Sequence, residues 1–178
     1  MDDAEYPAFL DLFHGAAPSK KGWTLDLGAG PGRPISSSPP RGWLSFDLRR
    51  RALRQAAENA QAEGCAFQQG DAHRLPYRND AFTAVVSNAL LHHVQRPEQV
   101  LAEAVRVLAP GGLLLFRDLL PGASPGCAAA AKGPCRLPSL REIVERVAEL
   151  GFPATSVRPM GRHWVWLAYK PKSDKPAV

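Results

Sequence analysis

The chain has 178 residues, of which 45% are hydrophobic, and this suits one globular domain with a substantial core. Its three cysteines are odd in number and follow no pattern, which argues against a disulfide framework. Residues 113–120 form the most apolar run, but Arg117 interrupts it, so the sequence predicts no membrane-spanning helix. The acidic N-terminal residues MDDAEY lack the basic and apolar regions of a signal peptide. We therefore expect a soluble, cytoplasmic protein.

The net charge of +5 and the pI near 9.4 permit an anionic partner without requiring one. Four arginines, Arg49, Arg50, Arg51 and Arg54, supply much of this charge within one short segment. A solvated helix face is the more frequent explanation of such a cluster, and an RNA-binding patch is the alternative.

Apolar residues recur at helical spacing near the N-terminus and predict an amphipathic helix over residues 3–14. Its apolar positions are Tyr6, Phe9, Leu10 and Phe13. Residues 15–22 then link it to the first strand. The helix could pack against the domain only, or it could also help to cover a binding site, and both interpretations stay open.

A short apolar strand in residues 23–32, WTLDLGAGPG, stops at three glycines on alternate positions, Gly28, Gly30 and Gly32. Glycines spaced in this way let the backbone turn tightly and approach a ligand closely, because no Cβ is present. A loop of this kind after a strand is typical of sites for a nucleotide or an adenosyl cofactor.

Asp26 narrows the choice of ligand, because a carboxylate two residues before Gly28 would repel a pyrophosphate. Position 33, where a dinucleotide fold has its third glycine, is Arg33. S-adenosylmethionine carries an ammonium and a sulfonium, so a cationic cofactor of this type suits the loop better than NAD or ATP.

The motif LDLGAGPG resembles the first motif of the class I S-adenosylmethionine-dependent methyltransferases. A second passage, SNALLHHVQRPEQVLAEAVRVLAPGGLLLF, is similar to the family's order of strand, histidine-bearing loop, helix, RVL-x-PGG and apolar strand. The resemblance covers residues 23–116 well and the remainder loosely. It implies that the cofactor contacts the loop residues Asp26, Leu27, Gly28, Ala29, Gly30 and Gly32.

Residues 33–42, RPISSSPPRG, depart from the family pattern, which has a well-formed helix here. Pro39 and Pro40 end any helix that starts, so we expect one or two turns or irregular backbone. A helix shortened in this way would direct a weaker helix dipole toward the cofactor.

The second predicted strand, residues 43–46, ends at Asp47, close to the roughly 20 residues after a glycine loop that place a carboxylate on ribose hydroxyls. The alternative is that Asp47 caps the next helix, predicted over residues 49–62. We include its neighbour Leu48 in the predicted cofactor site.

A third strand, residues 65–68, precedes the turn that begins with Gly70. By resemblance this is the adenine-binding turn, in which Asp71 accepts from the exocyclic amine and the backbone of Ala72 lies on the ring. A Gly-Asp pair is also simply common in turns, so this interpretation depends on the family likeness.

Ser87 and Asn88 follow the apolar strand of residues 82–86, at the carboxyl end where open α/β sheets bind ligands. Pro97 begins a helix over residues 98–108, and a turn at 109–112 leads into a strand at 113–116.

Asp118 ends this fifth strand, and residues 119–138 form a short Gly-, Pro- and Ala-rich insert that we predict to be a flexible lid. Ser139 caps a helix over residues 140–150, and an antiparallel hairpin at 155–157 and 163–169 closes the domain. Residues 171–178 are a polar tail.

Methyl transfer requires mainly binding and alignment, because the sulfonium already activates the methyl group. A general base is needed only for a protonated acceptor, and the candidates are His93, His92 and Asp118, with His93 first. A packing role for the two histidines stays open. Cys127 and Cys135 have seven residues between them and no nearby histidine, so we expect no metal.

The sequence thus predicts one α/β domain over residues 1–170: a Rossmann-like three-layer sandwich with a mostly parallel seven-stranded sheet and an antiparallel last strand. The predicted function is methyl transfer from S-adenosylmethionine to a small molecule, with S-adenosylhomocysteine as the product. The alternatives are an RNA- or protein-directed methyltransferase with an open basic site and a cofactor- or partner-binding module without turnover.

Overall fold

The computed structural model of the protein describes residues 5–16, 22–32, 42–60, 64–121, 138–153 and 156–172. Within these residues the chain forms four α-helices, a single 3-10 turn and seven strands. The helices are α1 (Tyr6–Ala16), α2 (Arg50–Asn59), α3 (Pro97–Val107) and α4 (Leu140–Glu149), and the 3-10 turn spans Leu91–His93. The strands are β1 (Thr24–Leu27), β2 (Trp43–Asp47), β3 (Cys65–Gln69), β4 (Phe82–Asn88), β5 (Leu108–Leu119), β6 (Val157–Met160) and β7 (His163–Tyr169).

The seven strands form one sheet in the order β3-β2-β1-β4-β5-β7-β6. Strands β1 to β5 pair in parallel, and β7 runs antiparallel to both β5 and β6. The predicted α/β fold with a mostly parallel sheet and an antiparallel last strand is confirmed. The chain order reverses between β1 and β4, which creates the crevice at the carboxyl ends where such sheets bind ligands.

Alternating side chains of the sheet bury two apolar faces. One face, with Leu25, Leu27, Val85, Leu114 and Phe116, packs together with the inner residues of α3 and α4. The opposite face, with Trp43, Ala84, Val86, Leu113 and Leu115, packs together with Tyr6, Phe9 and Phe13 of α1. Helix α2 lies beside β2 and the edge strand β3. The helices therefore hold the sheet from both sides and leave the carboxyl ends of the strands to form the site.

The helix boundaries follow from local chemistry. As predicted, Ser139 caps α4: its hydroxyl accepts from the amide of Glu142 at 3.3 Å, and the Glu142 carboxylate accepts from the Ser139 amide at 2.8 Å. At the C-terminal end of α3, the Lys170 ammonium donates to the carbonyls of Val105 (3.0 Å) and Leu108 (2.6 Å). A cation at a helix C-terminus satisfies carbonyls that have no partner within the helix.

Strand β5 is longer than the sequence predicted, at both ends. The predicted turn at 109–112 is wrong, because these residues form an irregularity inside the strand: Phe82 pairs with Leu108, and Ala84 then pairs with Leu113. Residues 109–112 form hydrogen bonds with the end of β7 instead, where the Gly111 amide donates to the Lys170 carbonyl at 2.8 Å. At the other end β5 runs through Leu119, so the insert begins later than predicted.

Other boundaries shift by a few residues: α1 ends at Ala16, α2 ends at Asn59, and β6 begins at Val157. The 3-10 turn was not predicted. Three predicted segments lie wholly or mostly outside the described residues: the irregular segment at 33–41, the lid with Cys127 and Cys135, and the tail beyond residue 172. No helix in the part of the chain that the structure describes is both long enough and apolar enough to span a bilayer.

Candidate functional site

The glycine loop after β1 leaves open space at the carboxyl end of the sheet. Gly28 and Gly30 have φ angles of 75° and 60°, which residues with a Cβ rarely adopt. A Cβ at Gly28 would meet the Leu90 side chain at 2.7 Å, whereas one at Gly30 would have no atom within 4 Å. The amides of Gly28 and Ala29 donate to the Phe46 carbonyl at 2.8 and 3.1 Å, which fixes the loop against β2.

Asp47, at the end of β2, connects the glycine loop to the start of α2. Its carboxylate is 6% exposed and accepts from the Gly30 amide (2.8 Å) through one oxygen and from the Arg49 amide (2.8 Å) through the other. The Arg49 Nε, on a side chain that is 69% exposed, also contacts this second oxygen at 3.5 Å. A carboxylate has about four acceptor positions, so one hydroxyl donor can bind directly and a second can bind once the Arg49 side chain moves away. The Arg49 contact precedes the first residue of α2 and also fits the alternative in which Asp47 organises the helix start.

Asp26 pairs with Ser45 across β1 and β2 and is half-buried. Burial, and to a smaller extent the nearby negative charge of Asp47, raise the pKa of Asp26 to about 7. At neutral pH this carboxyl group is therefore divided between its neutral and its ionised form. A cation bound beside it would favour the ionised form.

The segment after β3 comes beside β2 through a hydrogen bond from the Gly70 amide to the Asp47 carbonyl at 3.1 Å. The Asp71 side chain is 59% exposed, and one of its oxygens accepts from the amide (2.9 Å) and ring Nδ1 (2.6 Å) of His73. These two bonds lower the pKa of Asp71, so the carboxylate is ionised at neutral pH. Leu48 is 65% exposed at the end of β2, and Ala72 is half-buried.

Asp118 organises the 3-10 turn that follows β4. One carboxylate oxygen accepts from the Leu91 amide at 2.5 Å, and the other accepts from the Leu119 amide at 2.7 Å and contacts Nδ1 of His92 at 2.6 Å. The side chains of Asp118 and His92 are both buried. The predicted base candidates Asp118 and His92 thus form a buried pair that fixes the turn.

His93 is the exposed member of the three base candidates. Its ring lies 3.9 Å from the His92 ring, centroid to centroid. Partial burial lowers the pKa of His93, and the positive charges of His92 and Arg49 lower it as well. His93 follows β4, and β4 runs parallel to β1, so the histidine lies at the same edge of the sheet as the glycine loop and the end of β2.

Ser87 and Asn88, the two predicted residues at the end of β4, have different environments. The Ser87 hydroxyl is buried and donates to the Leu27 carbonyl at 2.8 Å, which ties β4 to β1 immediately before the glycine loop. The Asn88 side chain is half-buried, and its oxygen accepts from Arg117 at 2.8 Å. Among the described residues, no group of three His, Cys, Asp or Glu side chains could hold a metal ion.

Sequence reasoning missed the buried charge network around Arg117. The Arg117 side chain has no exposed surface, and its guanidinium contacts Glu5 at 3.2 Å and Nδ1 of His163 at 3.1 Å as well as Asn88. Glu5 also contacts His163 directly. The available signal was an arginine, next to Asp118, in the strand LLLFRDLL, whose other residues are apolar. The network ties the start of α1 to the carboxyl ends of β4 and β5.

The sequence profile of a family described as "Methyltransferase domain" matches residues 25–116, more than half of the chain. The chain belongs to the class I S-adenosylmethionine-dependent methyltransferases. The match begins at β1 and ends within β5, so it includes the carboxyl ends of β1 to β4. A solved S-adenosylmethionine-dependent methyltransferase from Mesorhizobium loti has the same fold, with a TM-score of 0.71, 18% identity, and coverage of 94% of this chain and 98% of that one.

Two curated relatives are more similar to this chain in sequence than the Mesorhizobium loti protein is. Phthiotriol/phenolphthiotriol dimycocerosates methyltransferase 1 of Mycobacterium ulcerans is 35% identical over 106 residues, which are 58% of this chain and 39% of the relative. The ubiquinone/menaquinone biosynthesis C-methyltransferase UbiE of Desulfotalea psychrophila is 36% identical over 106 residues, which are 57% and 43% of the two chains. The chain therefore matches less than half the length of either relative.

Proposed function

We propose that this methyltransferase binds S-adenosylmethionine at the carboxyl ends of β1 to β4 and transfers the methyl group to a small-molecule acceptor. The observation that carries the proposal is the link between Gly30 and Asp47. It joins a loop with open space beside Gly30 to a buried carboxylate that still has acceptor positions. Few ligands need both a close backbone approach and a diol acceptor, and an adenosyl cofactor does.

The residues present fit each part of this cofactor. Asp26 suits the ammonium group, because a cation stabilises the ionised form of a carboxyl group whose pKa is about 7. Asp47 suits the ribose diol, and the exposed Leu48 offers an apolar surface for the base. Asp71, ionised and 59% exposed, suits the exocyclic amine of adenine, with the Ala72 backbone beside the ring. The residues proposed to line the site are Asp26, Leu27, Gly28, Ala29, Gly30, Gly32, Asp47, Leu48, Gly70, Asp71, Ala72, Ser87 and Asn88.

The cofactor, when bound, supplies a methyl group on a positively charged sulfur. The protein aligns and desolvates the reacting groups, which provides most of the rate acceleration in such a displacement. For a hydroxyl acceptor, His93 accepts the proton, because its lowered pKa keeps the ring neutral at pH 7. Asp118 and His92 act through position: they hold the 3-10 turn that presents His93.

The acceptors in the relatives' names support a small, apolar acceptor. One name specifies dimycocerosates, and the other places a C-methyltransferase in quinone biosynthesis. The test is incubation of the purified protein with methyl-labelled S-adenosylmethionine and a panel of phenols, quinols, long-chain alcohols, total RNA and a protein mixture. We expect label in a small hydroxylated or quinol acceptor. Label in RNA or protein alone contradicts the small-molecule proposal, and binding of the cofactor without any transfer supports a module without turnover.

The RNA-directed alternative has one observation in its favour. Arg49, Arg50, Arg51 and Arg54 are all exposed at the start of α2, next to Asp47. Exposure alone also fits a solvated helix face, so this remains the second candidate. A titration with generic RNA at increasing salt decides between them, because phosphate contacts by these arginines would make the affinity fall steeply with salt.

A further inference from the structure

Helix α3 presents three polar side chains to the segment that follows β3. Gln99, Glu103 and Arg106 are four and three residues apart, so they lie along one face of the helix. All three reach the same stretch, residues 71–79, which contains Asp71 and Ala72 and no regular secondary structure. Its backbone groups therefore need partners from elsewhere.

Arg106 and Glu103 supply most of these partners. The Arg106 guanidinium donates to the carbonyls of Leu75 (3.0 Å) and Tyr77 (2.8 Å) and to the side-chain oxygen of Asn79 (3.0 Å). It also holds Glu103 through two bonds of 2.6 and 2.8 Å. The Glu103 carboxylate in turn accepts from the Leu75 amide at 2.7 Å. Leu75 is thus bound at both its amide and its carbonyl.

Gln99 extends the contact to the front of the segment, where its amide nitrogen donates to the His73 carbonyl at 2.9 Å. The His73 ring and amide hold one oxygen of Asp71. A continuous chain of hydrogen bonds therefore runs from α3 to the carboxylate proposed to read the adenine amine. The ionised state of Glu103, whose pKa the Arg106 bonds lower, strengthens the chain.

We propose that Arg106, with Glu103 and Gln99, is a positioning residue that holds residues 71–79 in the conformation that recognises adenine. The helix thereby sets the selectivity of the site for adenine over other bases, although none of its three side chains is placed against the cofactor. This inference rests on the proposed cofactor binding.

The chemistry of arginine makes the proposal specific. Its planar guanidinium reaches two carbonyls, an amide oxygen and a carboxylate at once, and a lysine ammonium has only three donors on a single atom. An Arg106→Lys variant keeps the charge but loses several of these bonds. It is expected to fold, because Leu75 packs in the main apolar core and Tyr77 packs against Phe46 and Phe82.

The test compares binding of S-adenosylhomocysteine with binding of S-inosylhomocysteine, which lacks the exocyclic amine. We expect the wild-type protein to prefer the adenosyl ligand. In Arg106→Lys, the affinity for S-adenosylhomocysteine should fall about ten-fold, as the loss of one or two charged hydrogen bonds would cause. The ratio of the affinities for the adenosyl and the inosyl ligand should fall toward one. Gln99→Ala, which removes only the His73 contact, should show the same change to a smaller extent. The matched control is Arg146→Lys, because Arg146 pairs with Glu149 at 2.6 Å on the exposed face of α4.

Amide hydrogen exchange of the ligand-free protein provides a readout that does not depend on binding. We expect exchange at Leu75 to accelerate about ten-fold in Arg106→Lys relative to the sheet amides, and to stay unchanged in Arg146→Lys. An unchanged ligand preference or unchanged exchange at Leu75 in Arg106→Lys overturns the inference. If the wild-type protein binds neither ligand, the proposed function fails, and with it the role of residues 71–79 in adenine recognition. If exchange at Leu75 still accelerates in Arg106→Lys in that case, the result shows only that Arg106 stabilises this segment.

Discussion

Two carboxyl groups at the site, Asp26 and Asp71, have pKa values shifted in opposite directions, and each shift has a cause in the group's surroundings. Asp26 is half-buried beside Asp47, so its pKa is raised to about 7. Asp71 is exposed and accepts two bonds from His73, so its pKa is lowered. Of these two carboxyl groups, Asp26 is the one that changes its charge near neutral pH, and the affinity for a cationic cofactor should depend on pH in the same way.

The first prediction is that the affinity for S-adenosylmethionine rises with pH through about 7. Below that pH the Asp26 carboxyl group is protonated in the free protein, and binding of a cation must release the proton. With a pKa of about 7 in the free protein and an ordinary carboxyl value in the complex, affinity at pH 6 should be about ten-fold below its plateau. Calorimetry in buffers of different ionisation enthalpy measures the proton release.

Asp26→Asn should bind more weakly than the wild type at pH 8 and should lose the pH dependence. Asp71→Asn is the control: it should also bind more weakly, but it should keep the slope, because the Asp71 carboxylate is already ionised throughout this range. A flat affinity between pH 6 and pH 8 in the wild type contradicts the role given to Asp26.

The second prediction concerns His93. Because its pKa lies below the ordinary value of 6.5, the neutral base is present at pH 7, and the rate with a hydroxyl acceptor should fall only below that value. His93→Gln should lower kcat about 100-fold or more and leave cofactor affinity unchanged. The pH–rate profile measures both effects. The control is His14→Gln in α1, and equal kcat values in the two variants would remove His93 from the mechanism.

At the scale of the elements, α1 is fastened to the sheet by charge as well as by its apolar face. Tyr6, Phe9 and Phe13 are buried against the sheet, and Glu5 at the start of the helix contacts Arg117, His163 and the Arg162 amide. The Arg162 amide bond is the main cause of the lowered pKa of Glu5, and the His163 and Arg117 bonds add to it. The packing of α1 against the sheet is therefore linked to the ionisation of the Glu5 carboxyl group.

The third prediction follows from the sign of that shift. A lowered pKa in the folded state means that ionised Glu5 stabilises the fold above its unfolded value of about 4.5, and that this stability is lost as the pH falls through the folded value. Glu5→Gln should lower the free energy of unfolding by about 1 kcal/mol at pH 7 and should flatten its decline in acid. Denaturant unfolding between pH 3 and pH 7 measures this.

Glu145→Gln is the matched control, since Glu145 pairs with Arg141 on an exposed helix face and should contribute little. If Glu5→Gln and Glu145→Gln give the same stability and the same acid decline, the network around Arg117 does not anchor α1.

At the scale of the whole molecule, local patterns predicted the element order and the fold. Pro97 predicted the start of α3, and the glycine loop with the passage at 87–116 indicated the family. What local patterns could not predict are contacts between distant residues. Glu5 lies 112 residues from Arg117, and Leu75 lies 31 residues from Arg106, so only the folded chain brings them together.

The extent of β5 likewise depends on contacts between distant residues that local sequence patterns do not predict. The sequence APGG is typical of a turn, and it interrupts the pairing of β5 with β4, but the end of β7 provides hydrogen bonds that keep it within the strand. Tertiary pairing overrode a local preference there. The residues proposed for the site lie at or near strand ends, whose positions follow from the topology.

The most direct test of the central claim is a calorimetric titration of the purified protein with S-adenosylmethionine and S-adenosylhomocysteine. The variants are Asp47→Ala and, as a control, Asp11→Ala on the exposed side of α1. The account predicts that both ligands bind to one site of the wild type, that Asp47→Ala weakens both by about ten-fold or more, and that Asp11→Ala changes neither. If neither ligand binds the folded wild-type protein, the account is contradicted.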